Sequence, residues 1–472
     1  MNRFFYLSIF LFFSTFLYAE NYNNSWQIII KCNGKHKTPY VFEVIDNEFS
    51  GLGTHWVEKD LKIKGFIKND KIKISFKADS KTSDSYIIRL SGKIVDENEY
   101  TLKGSNAWGR GSCKGKFMKV NKRPSFAKFE YIEKAIIKDI EFDSYDAVAG
   151  FTIIDKSYLN LPIKISGKLY LPHEGDNFPA IVFNHGSGGT REYTTPNESW
   201  RNKFRNEMLK NNIALFEIDS FTGRGTKTVD RNQGKVSAYA NTIDVLHAYK
   251  FLNNHPKING KRLGVIGHSR GGIGAWLAVE KRFTDVIIGK DNYYKISIPM
   301  APDCSMGGFE NPKTTLTKTI FILGLSDDYT RPETCIDYAK KMKDAKADVE
   351  LILKEGWYHA FYSDLPSTKI KAVTFRECYD TFPVWDLNDD GYTSDTSAKL
   401  IKKFLKVDID IFEKKLAEAA NKKDLKKSNK ILMKLYKKLY KYCGDFNVTV
   451  GGNHGQETYD IITPIFLKSL KN

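Results

Sequence analysis

The chain has 472 residues, 41% of them apolar and 27% charged, with 14 prolines, 34 glycines and six cysteines. At about 150 residues per domain, this length allows two or three domains with ample core, and the composition excludes collagen-like and Pro/Gly-rich low-complexity chains. The formal charge is +17, from 73 Lys+Arg against 56 Asp+Glu, and no apolar run long enough to span a bilayer follows the N-terminal segment.

Residues 1–19 read as a secretory signal. Arg3 supplies the positive start, Phe4 to Leu17 is an apolar stretch broken only by Ser8, Ser14 and Thr15, and the small Ala19 precedes the cut. An uncleaved anchor is the competing reading. Cleavage implies a periplasmic or extracellular protein with no stable membrane span, in a compartment where disulfides persist. Six cysteines allow 15 pairings; proximity in the expected domains suggests Cys32 with Cys113, Cys304 with Cys335 and Cys378 with Cys443.

Residues 20–120 are expected to form a small all-β domain. Strand patterns recur at Trp26–Cys32, Tyr40–Ile45, Leu61–Ile67, Lys71–Ala78, Tyr86–Val95, Tyr100–Gly104 and Lys114–Val120, with strict alternation across Ile72, Ile74 and Phe76. Short strands at this spacing suggest a sandwich or a barrel. Trp56 and Trp108 are either packing residues or a ligand platform.

From residue 135 the pattern becomes α/β. Strands are expected at Ile163–Leu171, Ala180–Asn184, Ile213–Ile218, Arg262–Ile266, Ile296–Met300, Thr319–Gly324 and Val349–Leu353, with helical stretches near 198–211, 235–254, 270–283 and 333–345. Such alternation predicts a doubly wound, mostly parallel sheet covered by helices, over residues 135–379 and 446–472. Residues 380–445 interrupt it with an acidic loop and a lysine-rich helical pattern. Residues 399–441 hold 15 lysines against five acids, with no arginine. A solvated helix face is the favoured reading over an anionic-polymer site, and no nucleic-acid partner is expected.

Gly267-His268-Ser269-Arg270-Gly271 is a G-x-S-x-G that follows an apolar strand and opens a helical stretch. In that context the serine sits on a tight turn at the strand's carboxyl end, and the next backbone N–H faces a developing oxyanion. Serine needs a base, and the base needs an acid to hold its tautomer. His359 follows the strand Val349–Leu353, and Asp327 lies three residues past the strand ending at Gly324. Asp328, at a more usual distance from Pro332, is the alternative acid; the strand end favours Asp327. A second oxyanion donor is expected from the Gly-rich loop 185–189, at the Ser187 N–H, to join that of Arg270.

These residues resemble the dienelactone hydrolases of the α/β-hydrolase fold. The likeness rests on Pro179–Gly189, Asp219-Ser-Phe-Thr-Gly-Arg-Gly225, Gly267–Gly272, Gly324–Thr330 and Trp357–Phe361, and covers roughly residues 160–375 and 447–470. The resemblance implies a Ser269–Asp327–His359 triad with serine in place of the cysteine of the founding enzymes. With the signal segment, this gives an exported carboxylic ester hydrolase acting on small-molecule esters or lactones through an acyl-enzyme, with no cofactor required, as the expectation. A serine peptidase on the same fold, and a cell-envelope binding protein with a vestigial hydrolase domain, are the alternatives. The oligomeric state has no signature. Arg224, on its Gly-rich loop, is either a substrate-binding guanidinium at the cleft rim or a structural tie between loops. Asp386, Asn388, Asp390 and the Tyr392 carbonyl match the first half of a calcium loop, but Ser397 stands where the loop's last ligand belongs. Calcium there would be structural; an Asx-rich turn is the alternative. The 380–445 segment is expected to border the active site as a helical cap.

Overall fold

The computed structural model describes the eight strands between residues 25 and 119, and residues 135–190, 199–364, 366–378 and 385–471. The signal segment 1–19, Trp56, Trp108 and the first residues of the 380–445 segment lie outside the described residues. Two compact units divide the chain, Met1–Ala127 and Lys128–Asn472.

In the first unit, β1 (Ser25–Cys32), β2 (His36–Ile45), β3 (Glu48–His55), β4 (Glu58–Lys68), β5 (Lys71–Ala78), β6 (Tyr86–Asp96), β7 (Glu99–Ser105) and β8 (Ser112–Lys119) pair antiparallel in chain order. Strand β8 returns to β1 and closes a barrel, which leaves no strand edge unpaired. The alternation of β5 fits one buried and one solvated face: Ile72 is buried between exposed Lys71 and Lys73. Cys32 and Cys113 stand opposite each other in the β1–β8 register.

The second unit is built on an eight-stranded sheet. Its strands are β9 (Ile136–Tyr145), β10 (Pro162–Leu171), β11 (Phe178–Asn184), β12 (Ala214–Asp219), β13 (Ile258–His268), β14 (Ile296–Met300), β16 (Lys318–Gly324) and β17 (Val349–Lys354). The order across the sheet is β9-β10-β12-β11-β13-β14-β16-β17. Only β10 runs against its neighbours, and every pairing from β12 to β17 is parallel. Strand β9 has no counterpart among the expected strands. It is a charged edge strand whose outer residues, such as Lys138 and Asp139, are exposed, so it lacks the apolar run that marks its neighbours.

Parallel strands are covered on both faces and read as continuous apolar runs. In β11, Ala180 and Val182 enter one core while Ile181 and Phe183 enter the other. The first core takes in α3 (Ala238–Asn253), α4 (Arg270–Leu277) and α6 (Pro332–Asp344), and the short α1 (Gly150–Ile154) and α5 (Lys281–Ile287) lie on the same side. The second is closed by Trp200 and Phe204 of α2 (Ser199–Lys210) and by Ile462, Phe466 and Leu470 of α10 (Gly455–Lys471).

Within the 380–445 segment lie three helices, α7 (Asp395–Leu405), α8 (Ile409–Asn421) and α9 (Leu425–Cys443). They have side-chain N-caps: Ser394, Asp408 and Asp424 accept from the backbone N–H groups of Ser397, Ile411 and Lys427. Leu432, Leu435 and Leu439 of α9 are buried, and Lys426, Lys427, Lys430, Lys434, Lys437, Lys438 and Lys441 are exposed. That is a one-faced amphipathic helix. A disulfide between Cys378 and Cys443 closes the root of the segment. Alongside it, β18 (Thr368–Thr374) pairs antiparallel with β20 (Asp445–Val450), and the short β15 (Met306–Phe309) pairs parallel with β19 (Trp385–Leu387). Cys304 and Cys335 form a second disulfide at the start of α6.

Candidate active site

The turn between β13 and α4 explains its own sequence. Ser269 sits at φ 54°, ψ −122°, a left-handed backbone that a serine adopts only under constraint from its surroundings. A Cβ at Gly267 would lie 2.2 Å from the Gly271 carbonyl oxygen, and one at Gly271 would lie 2.2 Å from that of Asn184. Both glycines are therefore required for the chain to turn here. The turn is tied to the next strand by Ser269 N–H donating to the Met300 carbonyl at 2.9 Å. Ser269 Oγ has no hydrogen-bond partner among the described residues.

His359 follows β17. Its Nδ1 lies 2.8 Å from Asp327 Oδ2, with both side chains buried. Asp327 Oδ1 accepts from the backbone N–H groups of Tyr329 (2.8 Å) and Thr330 (3.0 Å). A carboxylate fixed by two N–H bonds presents its other oxygen to the ring, so Nδ1 carries the proton and Nε2 is left as the acceptor. Strand β16 ends in Gly324 because a Cβ there would lie 2.3 Å from the Trp357 carbonyl oxygen. This close approach brings the loop carrying Asp327 against the loop carrying His359. Asp328 serves a different purpose: its Oδ1 and Oδ2 accept from Thr449 N (2.7 Å) and Thr449 Oγ1 (2.9 Å), which holds β20 in place.

His359 reaches the serine turn through its neighbours. Its ring centroid is 4.7 Å from that of His268 and 4.5 Å from that of Tyr329. His268 in turn bonds the Tyr362 hydroxyl at 2.8 Å, and burial pushes its pKa well down, so it stays neutral. Tyr329 and Thr330 line a pocket together with Ser269, Arg270, Ser187 and Gln233.

The loop 185–189 is pinned on both sides. The Ser187 carbonyl accepts from Val229 N and Thr228 Oγ1, both at 2.9 Å. A Cβ at Gly189, φ 73°, would meet the Lys227 carbonyl oxygen at 2.1 Å. The buried Arg270 side chain turns away from the serine: its Nη1 donates to the Val236 carbonyl (2.7 Å), its Nη2 to the Gln233 carbonyl (2.7 Å), and its Nε to Gln233 Oε1 (3.2 Å). Gln233 also bonds Ser187 Oγ, so one glutamine joins the two segments carrying the expected oxyanion donors.

Two expectations are corrected. Arg224 is not a substrate-binding residue. All five of its N–H donors are taken, by Asp146 (2.5 Å), both Asp244 oxygens (2.7 and 3.0 Å) and the carbonyls of Ser220 and Tyr145. Its side chain is 4% exposed, so no donor is left for a ligand. The calcium loop does not fit calcium either. Asp386 pairs with Lys341 at 2.6 Å, the Asn388 side-chain oxygen accepts from Asp390 N and Tyr392 N, and the Tyr392 carbonyl accepts from Asn388 N. Asp390 is exposed. These oxygens serve an Asx turn rather than a common centre, and among the described residues no three His, Cys, Asp or Glu side chains form a group that could hold a metal.

Several pocket residues escape sequence reasoning, among them Gln233, Asp303 and Tyr436. Asp303 had a usable signal, since it follows β14 at the same sheet edge as Ser269 and Asp327. Gln233 opens a short 3₁₀ helix, Gln233–Lys235, that carries no motif. Tyr436 belongs to α9, so the 380–445 segment does contribute to the pocket wall; its neighbour Tyr440 accepts Gln233 N at 3.3 Å.

The strand order, the single reversed strand β10 and the serine turn after the fifth strand across the sheet decide the architecture. This chain has the α/β-hydrolase fold. No family's sequence profile matches the chain, and no curated protein matches it. Solved structures that it resembles include esterase 2 of Thermogutta terrifontis, phosphorylated by paraoxon (18% identity, 42% of this chain and 80% of that one, TM-score 0.32). A dienelactone hydrolase-like promiscuous phosphotriesterase from metagenomic libraries is another (12% identity, 48% of this chain and 86% of that one, TM-score 0.35). A third is the esterase of Pyrobaculum calidifontis (16% identity, 48% of this chain and 78% of that one, TM-score 0.33).

Proposed function

We propose that this chain is an exported serine hydrolase that cleaves carboxylic esters, lactones included, through an acyl-enzyme. The observation that carries the reading is the buried 2.8 Å bond between His359 Nδ1 and Asp327 Oδ2, beside a serine held on a strained strand-to-helix turn. In this reading His359 Nε2 takes the Ser269 proton as Ser269 Oγ attacks the ester carbonyl. Asp327 stabilises the imidazolium that forms. The N–H groups of Arg270 and Ser187 receive the oxyanion. His359 then gives its proton to the departing alcohol, and water, activated by the same histidine, releases the acid. These residues need no cofactor for that sequence. Export is supported by the N-terminal segment and by two disulfides, which persist in oxidising compartments. Among the described residues no helix is long and apolar enough to cross a membrane.

The test is kinetic. Ser269→Ala should lower kcat/KM on a p-nitrophenyl ester by about 10⁴ or more while the protein stays folded. Asp327→Asn should cut it far more deeply than Asp328→Asn. Full ester hydrolysis by Ser269→Ala would contradict the assignment. A faster rate on matched peptides than on esters would move the reading to a peptidase.

A further inference from the structure

Asp303 stands in the pocket wall with Ser269, on the loop that leaves β14 at the carboxyl edge of the sheet. Its neighbour Cys304 is anchored by the disulfide to Cys335, so the loop is fixed where it passes the pocket. One carboxyl oxygen, Oδ1, is used locally: it accepts from Ser305 N at 3.0 Å and Ser305 Oγ at 2.6 Å, an Asx turn. The other, Oδ2, has no hydrogen bond among the described residues. Three other carboxyls of this unit have arginine partners. Asp244 has Arg224, Glu217 has Arg205 and Glu280 has Arg282. Asp303 is half-buried, so a ligand that fills the pocket and displaces its water must satisfy those lone pairs. An Asx turn needs only one oxygen, so the turn alone does not account for Oδ2.

The rest of the pocket narrows what the partner is. The Arg270 guanidinium lines the same pocket and meets only neutral acceptors, the carbonyls of Val236 and Gln233 and the side chains of Gln233 and Asn241. No carboxylate pairs with it directly, so the Arg270 guanidinium and the Asp303 carboxyl offset each other across the pocket, which suits a neutral ligand. The remaining wall sets the hydroxyl-bearing Tyr329 and Tyr436 among the apolar side chains of Ile273, Val373 and Phe375. Burial raises the Asp303 pKa, with the nearby Asp327 charge adding to the rise. A neutral hydroxyl suits either protonation state, because it can both donate and accept.

We infer that Asp303 is a specificity-determining residue: its Oδ2 bonds a hydroxyl group of the substrate, so the site takes hydroxylated esters in preference to plain ones. This rests on the proposed ester hydrolysis at Ser269. Two matched pairs test it, with the hydroxyl on either side of the ester. Glycerol monoacetate is compared with propyl acetate, and methyl 3-hydroxybutyrate with methyl butyrate. The wild-type protein should favour the hydroxylated member of at least one pair by about tenfold or more in kcat/KM, the size expected of one hydrogen bond to a charged or buried acceptor. Asp303→Ala should bring that ratio close to one. Asp303→Asn keeps an oxygen for the Ser305 turn and replaces Oδ2 with an NH₂ group that can still donate to a hydroxyl, so it should retain part of the preference that Asp303→Ala loses. Labelling of Ser269 by a fluorophosphonate in both variants reports that the site is still assembled. A preference that survives Asp303→Ala, or no preference in the wild type for either pair, would overturn the role of Asp303. A wild-type protein that neither hydrolyses these esters nor takes the phosphonate would overturn the serine-hydrolase reading, and this inference with it.

Discussion

Two buried arginines in one unit show how differently the same side chain is used. Arg224 lies between Asp146 and Asp244, and burial alone would lower its pKa, but those two charges outweigh it and raise the pKa instead. Arg270 has its donors equally occupied, yet only by neutral oxygens, and burial lowers its pKa with no carboxylate to offset it. The first is a charge neutralised where it stands, and its role is to join β9, the loop after β12 and α3. The second keeps its field in the pocket beside Ser269, where the proposed acyl transfer would develop negative charge. Full hydrogen bonding is thus no guide to function; the sign of the surroundings is.

Breaking the first cluster should have the largest effect. Arg224→Met leaves Asp146 and Asp244 buried without their counter-ion, and should reduce stability by about 3–5 kcal/mol in urea unfolding. Its KM should change little if the protein is assayed well below its melting temperature. A raised KM with unchanged stability would restore Arg224 to the substrate site.

The next effect belongs to the same side of the sheet. His247 on α3 packs its ring 5.2 Å from Tyr145, whose carbonyl bonds Arg224. Burial lowers the His247 pKa to about 4. A histidine whose folded pKa is depressed binds its proton more readily when unfolded. The stability it contributes is present above about pH 6.5 and is lost as the pH falls toward 4, by about 3 kcal/mol over that window. Urea midpoints at pH 7.5 and 4 should therefore converge in His247→Gln relative to the wild type. An unchanged pH dependence would place the acid sensitivity elsewhere.

The smallest effect sharpens the contrast. Arg270→Met retains the backbone N–H at the oxyanion position but releases Gln233 and, through it, Ser187. It should lower kcat/KM by about tenfold to a hundredfold, with the loss mainly in kcat. A loss confined to stability would make Arg270 a second Arg224.

The same contrast explains what the sequence could disclose. Ser269, Asp327 and His359 were legible because each follows a strand in a fixed order, and short-range sterics at Gly267, Gly271 and Gly324 determine where each loop can go. The choice of Asp327 over Asp328 follows from that logic, since the strand end at Gly324 sets which carboxylate faces His359 and which faces Thr449. Arg224 was not legible. A guanidinium on a Gly-rich loop looks the same whether it faces a ligand or two carboxylates 78 residues before and 20 residues after it. The calcium pattern failed for a similar reason, because the Lys341 that takes Asp386 comes from α6. The pocket wall contributed by Tyr436 depended on how α9 packs, which only its apolar face at Leu432, Leu435 and Leu439 foreshadowed.

The central claim is that Ser269 is a nucleophile activated by His359. Exposing the full chain to a fluorophosphonate and mapping the adduct by peptide mass spectrometry tests this most directly. The account requires one phosphonate on Ser269, none in Ser269→Ala, and labelling slowed by about a hundredfold or more in His359→Ala. Adduct formation elsewhere with Ser269 unmodified, or equal labelling rates in the wild type and His359→Ala, would contradict it.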